Sequence, residues 1–189
     1  MEYRFKLPVN SGEIKKLHVG DIIYVTGEIF TARDETHHMM LEKDKNNLPF
    51  DPSEMALYHC GPLMKKIGNG WQVVSAGPTT SSRMEIFEDE FIEKYGINII
   101  IGKGGMGERT EKALQKYTGV YTAYTGGAGA LAADKVEEVP AVYWLDELGM
   151  PEAAWIFKVK EFGPLVVAID SHGKSIYKEI KRLESGESK

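Results

Sequence analysis

The chain has 189 residues, with 23 lysines and arginines against 28 aspartates and glutamates, a formal net charge of −5 at pH 7. Its 42% hydrophobic and 27% charged residues exclude a disordered or collagen-like chain, and at this length a core forms without metal or disulfide staples. The acidic balance argues against nucleic acid as a partner, the single cysteine, Cys60, excludes an intrachain disulfide, and no apolar run approaches the roughly 20 residues that span a bilayer.

Residues 1–189 read as a single domain. The opening stretch MEYRFKLPVNSGEIKKL has no apolar h-region, so no secretory signal is read; the cytoplasm, where a free thiol survives, is the expected compartment. LHVGDIIYVTGEIFTARD is rich in β-branched and aromatic residues and predicts one or two strands ending near Thr31 to Asp34. DETHHMMLEK predicts a short helix with Asp34 as N-cap. MALYHCG predicts a strand, KKIGNGW a turn at Asn69-Gly70, and WQVVSAG a partner strand, which completes a β-rich N-terminal part.

After Thr80 the period changes. In SSRMEIFEDEFIEKYG, Met84, Phe87, Phe91 and Tyr95 recur at spacings of three and four, with Ser82 and Glu85 as a capping box and Gly96 as the stop. INIIIG predicts a buried strand, GKGGMG a glycine turn, ERTEKALQKYTG a second amphipathic helix, and VYTAYT a strand. GGAGALAADKV predicts a turn and short helix, VPAVYWL, WIFKVKEF and GPLVVAID three further strands, and SIYKEIKRLES a solvated terminal helix. Strand, helix, strand, helix, strand in succession argues for an α/β fold with βαβ units and partly parallel pairing.

Three cations stand at strand ends, where α/β folds often meet ligands. Arg33 lies where a long apolar strand gives way to a polar turn; pairing with Asp34 or Glu35 is the competing reading. Arg83 follows Thr79, Thr80, Ser81 and Ser82, whose hydroxyls beside the free amides of a helix start suit a carboxylate or phosphate. Lys103 sits in GKGGMG, where glycines permit close backbone approach, though no Walker A pattern is present. Together they would compensate a small dicarboxylate, one anchor at each end. Gly127, Gly129 and Ala132 match a dinucleotide fingerprint only loosely. Asp34, His37, His38, His59 and Cys60 could be gathered as metal ligands, but adjacent His37 and His38 diverge on a helix by about 100°. His37 shares a helix face with Asp34 and reads either as an acid or donor at the Arg33 site or as a surface histidine.

TARDETHH, HCGP, SAGPTTSSRM, GKGGMG and ELGMPEAAWIFKVKEFGPLVVAID together resemble the β subunit of iron–sulfur hydro-lyases, the class I fumarate hydratases and the related L(+)-tartrate dehydratases, from about Leu17 to Gly173. The resemblance implies a swivelling β/β/α domain paired with an α subunit that carries a 4Fe-4S cluster, none being bound by this chain alone. It implies hydration of fumarate to (S)-malate or, in the alternative, dehydration of tartrate. A non-catalytic module for small anions is the reading of another class. The matching substrate-binding positions are Arg33, Arg83 and Lys103, with Thr80 beside them, and the matching catalytic positions are Thr79, as candidate base, and His37. No metal ligand is assigned to this chain. An exposed apolar face for the α subunit is also expected, with self-association of the isolated chain as its consequence.

Overall fold

A computed structural model describes residues 1–125 and 127–184, with only the backbone for Lys181 and Glu184. In chain order the first elements are β1 (Glu2–Lys6), α1 (Ser11–Ile14), β2 (Ile22–Thr31), α2 (Asp34–Leu41), β3 (Ala56–Tyr58), β4 (Leu63–Ile67) and β5 (Gly70–Ser75). They are followed by α3 (Glu85–Tyr95), β6 (Ile99–Gly102), α4 (Glu108–Tyr117), β7 (Val120–Ala123), α5 (Gly129–Asp134), β8 (Val136–Tyr143), α6 (Leu145–Leu148), β9 (Ala154–Ile169) and α7 (Ile176–Glu184). Ser185, the last residue of the expected terminal helix, lies outside the described residues.

Strands β2, β3, β6 and β7 lie side by side and parallel, which bears out the βαβ reading. The long β9 then runs antiparallel to both β7 and β2, so the five strands close on themselves. β1 extends the sheet beside the first half of β2, and β8 beside the first half of β9. The alternation of a strand sorts its side chains between two cores. Tyr58 and Ile101 enter the core enclosed by the strands with Phe157 and Phe162. Leu57 and Ile100 face the other way and pack with Phe91, Tyr95 and Leu114 of α3 and α4.

Several boundaries differ from the sequence reading. The partner of β5 is β4, joined to it through Gly68-Asn69 in a separate two-stranded sheet, whereas β3 joins the parallel set. WIFKVKEF and GPLVVAID form one strand, β9, because Gly163-Pro164 falls where its neighbours change from β8 to β7 rather than at an end. At Gly163 (φ +156) a Cβ would stand 2.8 Å from the Ile23 carbonyl oxygen, so the crossing needs glycine. The N-cap of α2 is Arg33, not Asp34, and makes no side-chain cap. Ser82 and Glu85 form no capping box, because a 3-10 turn (Ser81–Met84) precedes α3 and makes Met84 its N-cap. Among the described residues no helix is long and apolar enough to cross a membrane.

Candidate functional site

The parallel pairing of β2, β3 and β6 sends their C-terminal ends to one edge, and the segments that leave those ends carry the candidate residues. Arg33 follows β2, His59-Cys60-Gly61 follows β3, and Lys103 follows β6. The Thr79–Arg83 segment is stitched between them. Thr79 N–H donates to the His59 carbonyl (2.7 Å), Ser81 N–H donates to the Lys103 carbonyl (2.9 Å), and Cys60 bridges Pro78. Thr80 pairs with Lys103 in a parallel bridge. The four segments thus hold Arg33, Thr79, Thr80, Arg83 and Lys103 along one rim of the fold.

Arg33 is partly buried, with Nε 3.2 Å from Glu152 Oε1. Glu152 is itself fixed, since its other oxygen accepts the Glu35 N–H at 3.1 Å. Burial raises the pKa of Glu152 despite that amide and the guanidinium. The Arg33 carbonyl accepts the backbone N–H of His37 at 2.9 Å, and His37 Nδ1 lies 2.7 Å from the same oxygen. Arg83 is more open, with 54% of its side chain exposed, and pairs with Asp34 at 2.7 Å. An exposed pair of this kind is worth little and can release the guanidinium to an anion. The acidic neighbours weighed for Arg33 are therefore distributed differently, Asp34 going to Arg83 and Glu152 to Arg33.

His37 does not line the rim. It is wholly buried, and its Nε2 lies 3.4 Å from Glu88 Oε2. His59, also wholly buried, brings its Nε2 to 3.1 Å from the same oxygen. Among the described residues neither Nε2 nor either Glu88 oxygen makes an aligned hydrogen bond, so the three groups meet as close ionic contacts. Burial pushes the Glu88 carboxyl up, but the two histidines outweigh it and hold it down at about 2. Burial lowers the pKa of His59, against the pull of Glu88.

Of the five residues gathered as metal ligands from the sequence, only His37 and His59 come together, and their third member is Glu88. His38 is on the surface beside Glu42, as its divergence from His37 requires. Cys60 is buried and free, and burial pushes its thiol well up. One thiol cannot supply the several thiolates that hold an iron–sulfur cluster, so this chain's residues do not fit that group. Sequence reasoning passed over Glu88, although a signal was present: with Met84, Phe91 and Tyr95 it sits at helical spacing on the buried face of α3. It also passed over Glu152, which lies 119 positions from Arg33 and is tied to it by no local pattern.

 That tie is made only by the closed strand order, which brings the start of β9 beside the end of β2. The dinucleotide fingerprint is not realised, since α5 after Gly127 and Gly129 leads into β8, which pairs antiparallel with β9 instead of returning as a parallel strand.

Fold and rim together define an α/β domain that presents three cations and a row of hydroxyls at the ends of parallel strands. The family described as Fumarase C-terminus matches residues 4–180, and the chain belongs to it. It is 52% identical over 184 residues to a Methanocaldococcus jannaschii protein provisionally named L(+)-tartrate dehydratase subunit beta, covering 96% of this chain and 94% of that one. It is 46% identical over 176 residues to the L(+)-tartrate dehydratase subunit beta of Escherichia coli K12, covering 93% and 87%. It is 43% identical over 176 residues to a Geobacillus stearothermophilus protein provisionally named fumarate hydratase class I, covering 93% of this chain and 33% of that longer one.

Proposed function

We propose that the chain is the β subunit of a heteromeric hydro-lyase that interconverts fumarate and (S)-malate. The observation that carries this reading is the gathering of Arg33, Thr79, Arg83 and Lys103 on segments stitched together at one edge of the parallel strands. In the dehydrating direction, Arg33, Arg83 and Lys103 hold the two carboxylates and offset the charge that grows on one of them as the C3 proton leaves. Thr79 is the group assigned to take that proton, and a threonine hydroxyl does so only with a neighbour that accepts its own, a carboxylate assigned to the α subunit. In this reading the α subunit would hold the iron–sulfur cluster, which would supply Lewis-acid chemistry, and this chain supplies the clamp and the candidate base.

Tartrate is the second substrate reading, and the names of two relatives favour it. It has the same two carboxylates and one further hydroxyl, so it uses the same clamp. The test is anaerobic co-expression with the α subunit, cluster reconstitution, and parallel assays with malate and tartrate. Turnover that needs both chains supports the hydro-lyase reading, and faster turnover of tartrate would replace the first substrate by the second. Arg83→Ala is expected to lower kcat/KM about 100-fold or more with an unchanged fold, given the exposure of the side chain. Near-normal activity in that variant removes Arg83 from the clamp.

A further inference from the structure

The protons beneath the rim can be placed from the geometry. Ser81 Oγ lies 3.2 Å from the Lys103 amide, 3.0 Å from the Tyr121 hydroxyl and 2.9 Å from His59 Nδ1. The amide and the phenol both donate to it, and the phenol oxygen in turn accepts the Gly105 N–H at 3.4 Å. The one Ser81 proton is then directed to His59 Nδ1, which must be the acceptor nitrogen of that ring. His59 accordingly carries its own proton on Nε2, whose neighbouring acceptor is Glu88 Oε2 at 3.1 Å, close enough for an ion pair although the N–H is not aligned for a hydrogen bond.

His37 is fixed the other way round. Its Nδ1 meets the Arg33 carbonyl, which can only accept, so Nδ1 carries a proton. Its Nε2 faces Glu88 Oε2 at 3.4 Å, and two lone pairs cannot face each other in a dry interior without a proton between them. Glu88 and His37 therefore share one proton, and the three side chains together are neutral. A divalent cation among the same three donors would leave one positive charge buried beside Phe87 and Phe91, and among the described residues no fourth histidine, cysteine or carboxylate joins the group. The shared proton is the better solution.

We propose that Tyr121, Ser81, His59, Glu88 and His37 form a buried relay that positions the rim, with Ser81 holding the amide of Lys103 and His37 holding the carbonyl of Arg33. They are positioning residues, since all five are wholly buried beneath the rim. The relay joins the segments after β2, β3 and β6 through side chains, so the spacing between the Arg33 and Lys103 cations is set from below. Gly102 is part of the device: a Cβ there would collide with Ser81 Oγ and stand 3.2 Å from His59 Nδ1.

The kinetic consequence rests on the hydro-lyase reading, so the first arm of the test uses no turnover. Long-range proton–nitrogen NMR of the full chain labelled with 15N-histidine is expected to show His59 protonated on Nε2 and bare on Nδ1. A proton on His59 Nδ1, or a stoichiometric divalent metal whose removal by a chelator shifts the His37 and His59 signals, overturns the relay. The second arm uses the assembled enzyme. Ser81→Ala is expected to raise KM for the dicarboxylate about tenfold with a smaller change in kcat. Glu88→Leu is expected to lose at least as much, and Glu88→Gln to recover part of that loss, because the single amide atom at the Oε2 position can meet one of the two histidines but not both. Unchanged KM in Ser81→Ala, or equal loss in both Glu88 variants, overturns the positioning role. An inactive wild-type assembly with a loaded cluster would sink the hydro-lyase reading instead, with the tautomer still deciding the relay.

Discussion

Arg33 lies directly over Gly61, which explains why the residue after Cys60 has no side chain. A Cβ at Gly61 would stand 2.5 Å from Arg33 Nη1 and 2.7 Å from the Pro151 carbonyl oxygen, and the second of these is backbone and cannot swing away. Gly61→Ala is therefore expected to displace the guanidinium and to lower kcat/KM by about 10- to 100-fold, since a misplacement near 1 Å can cost about 100-fold. Steady-state kinetics of the assembled enzyme check this, and unchanged values would mean that Arg33 does not hold substrate. Its neighbour Cys60 is the opposite case, a side chain with no access. Burial raises its pKa, so the reactive thiolate is scarce as well as enclosed. Iodoacetamide at pH 8 is expected to leave Cys60 unmodified in the folded protein and to alkylate it in urea, which intact mass measurement reads directly.

The GKGGMG turn shows how one element end is assigned to structure and the other to function. Glu85 at the start of α3 accepts from Gly107 N–H (2.7 Å), Arg109 N–H (3.1 Å), Thr110 N–H (3.3 Å) and the Thr110 hydroxyl (2.7 Å). One carboxylate thus occupies the N-terminus of α4, a position that a phosphate would otherwise favour, and ties α4 to α3. Glu85→Ala is expected to destabilise the fold by about 1–3 kcal/mol, measured by urea unfolding, because several amides lose their acceptor together. The turn, strand and helix around Lys103 were legible in the sequence because glycines, a continuous apolar run and a 3.6-residue period are local signals. The role of Glu85 was not, since the same Ser82-Glu85 spacing that suggests a capping box within one helix serves a cap on the next. β1 was missed for a related reason: Glu2–Lys6 is a short, half-exposed strand whose identity comes from its pairing with β2. Arg33, Arg83 and Lys103 were legible because strand ends can be read locally, whereas His59, Glu88 and Ser81 become a unit only when β3, β6 and α3 pack.

A buried ionisable cluster ties the acid stability of the whole molecule to a few groups. His59 has a lowered pKa when folded against an ordinary value of 6.5, and Glu88 is held at about 2 against 4.5. Around them stand His37 from α2, the hydroxyls of Ser81 and Tyr121, and Asp34, which acts on His59 from a distance. Above pH 6.5 neither titration changes stability. As pH falls below 6.5, the unfolded chain protonates His59 more readily than the folded one, so the unfolded state gains and stability declines. As pH falls below 4.5, the unfolded chain protonates Glu88 while the folded carboxylate resists down to about 2, and a second decline follows, on the order of 3 kcal/mol in full. Asp21 and Asp51, also held low, add to that lower window, so the wild-type profile alone does not isolate Glu88. Urea midpoints of wild type and Glu88→Gln at pH 7.5, 5.5 and 3 separate the contributions. The expected result is a variant less stable than wild type at pH 7.5 whose deficit shrinks as the pH falls from 4.5 towards 3, because only the wild type loses a carboxylate's contribution there. A constant deficit across that range would mean that Glu88 acts by shape and hydrogen bonding alone, with its charge contributing nothing to the stability of the fold.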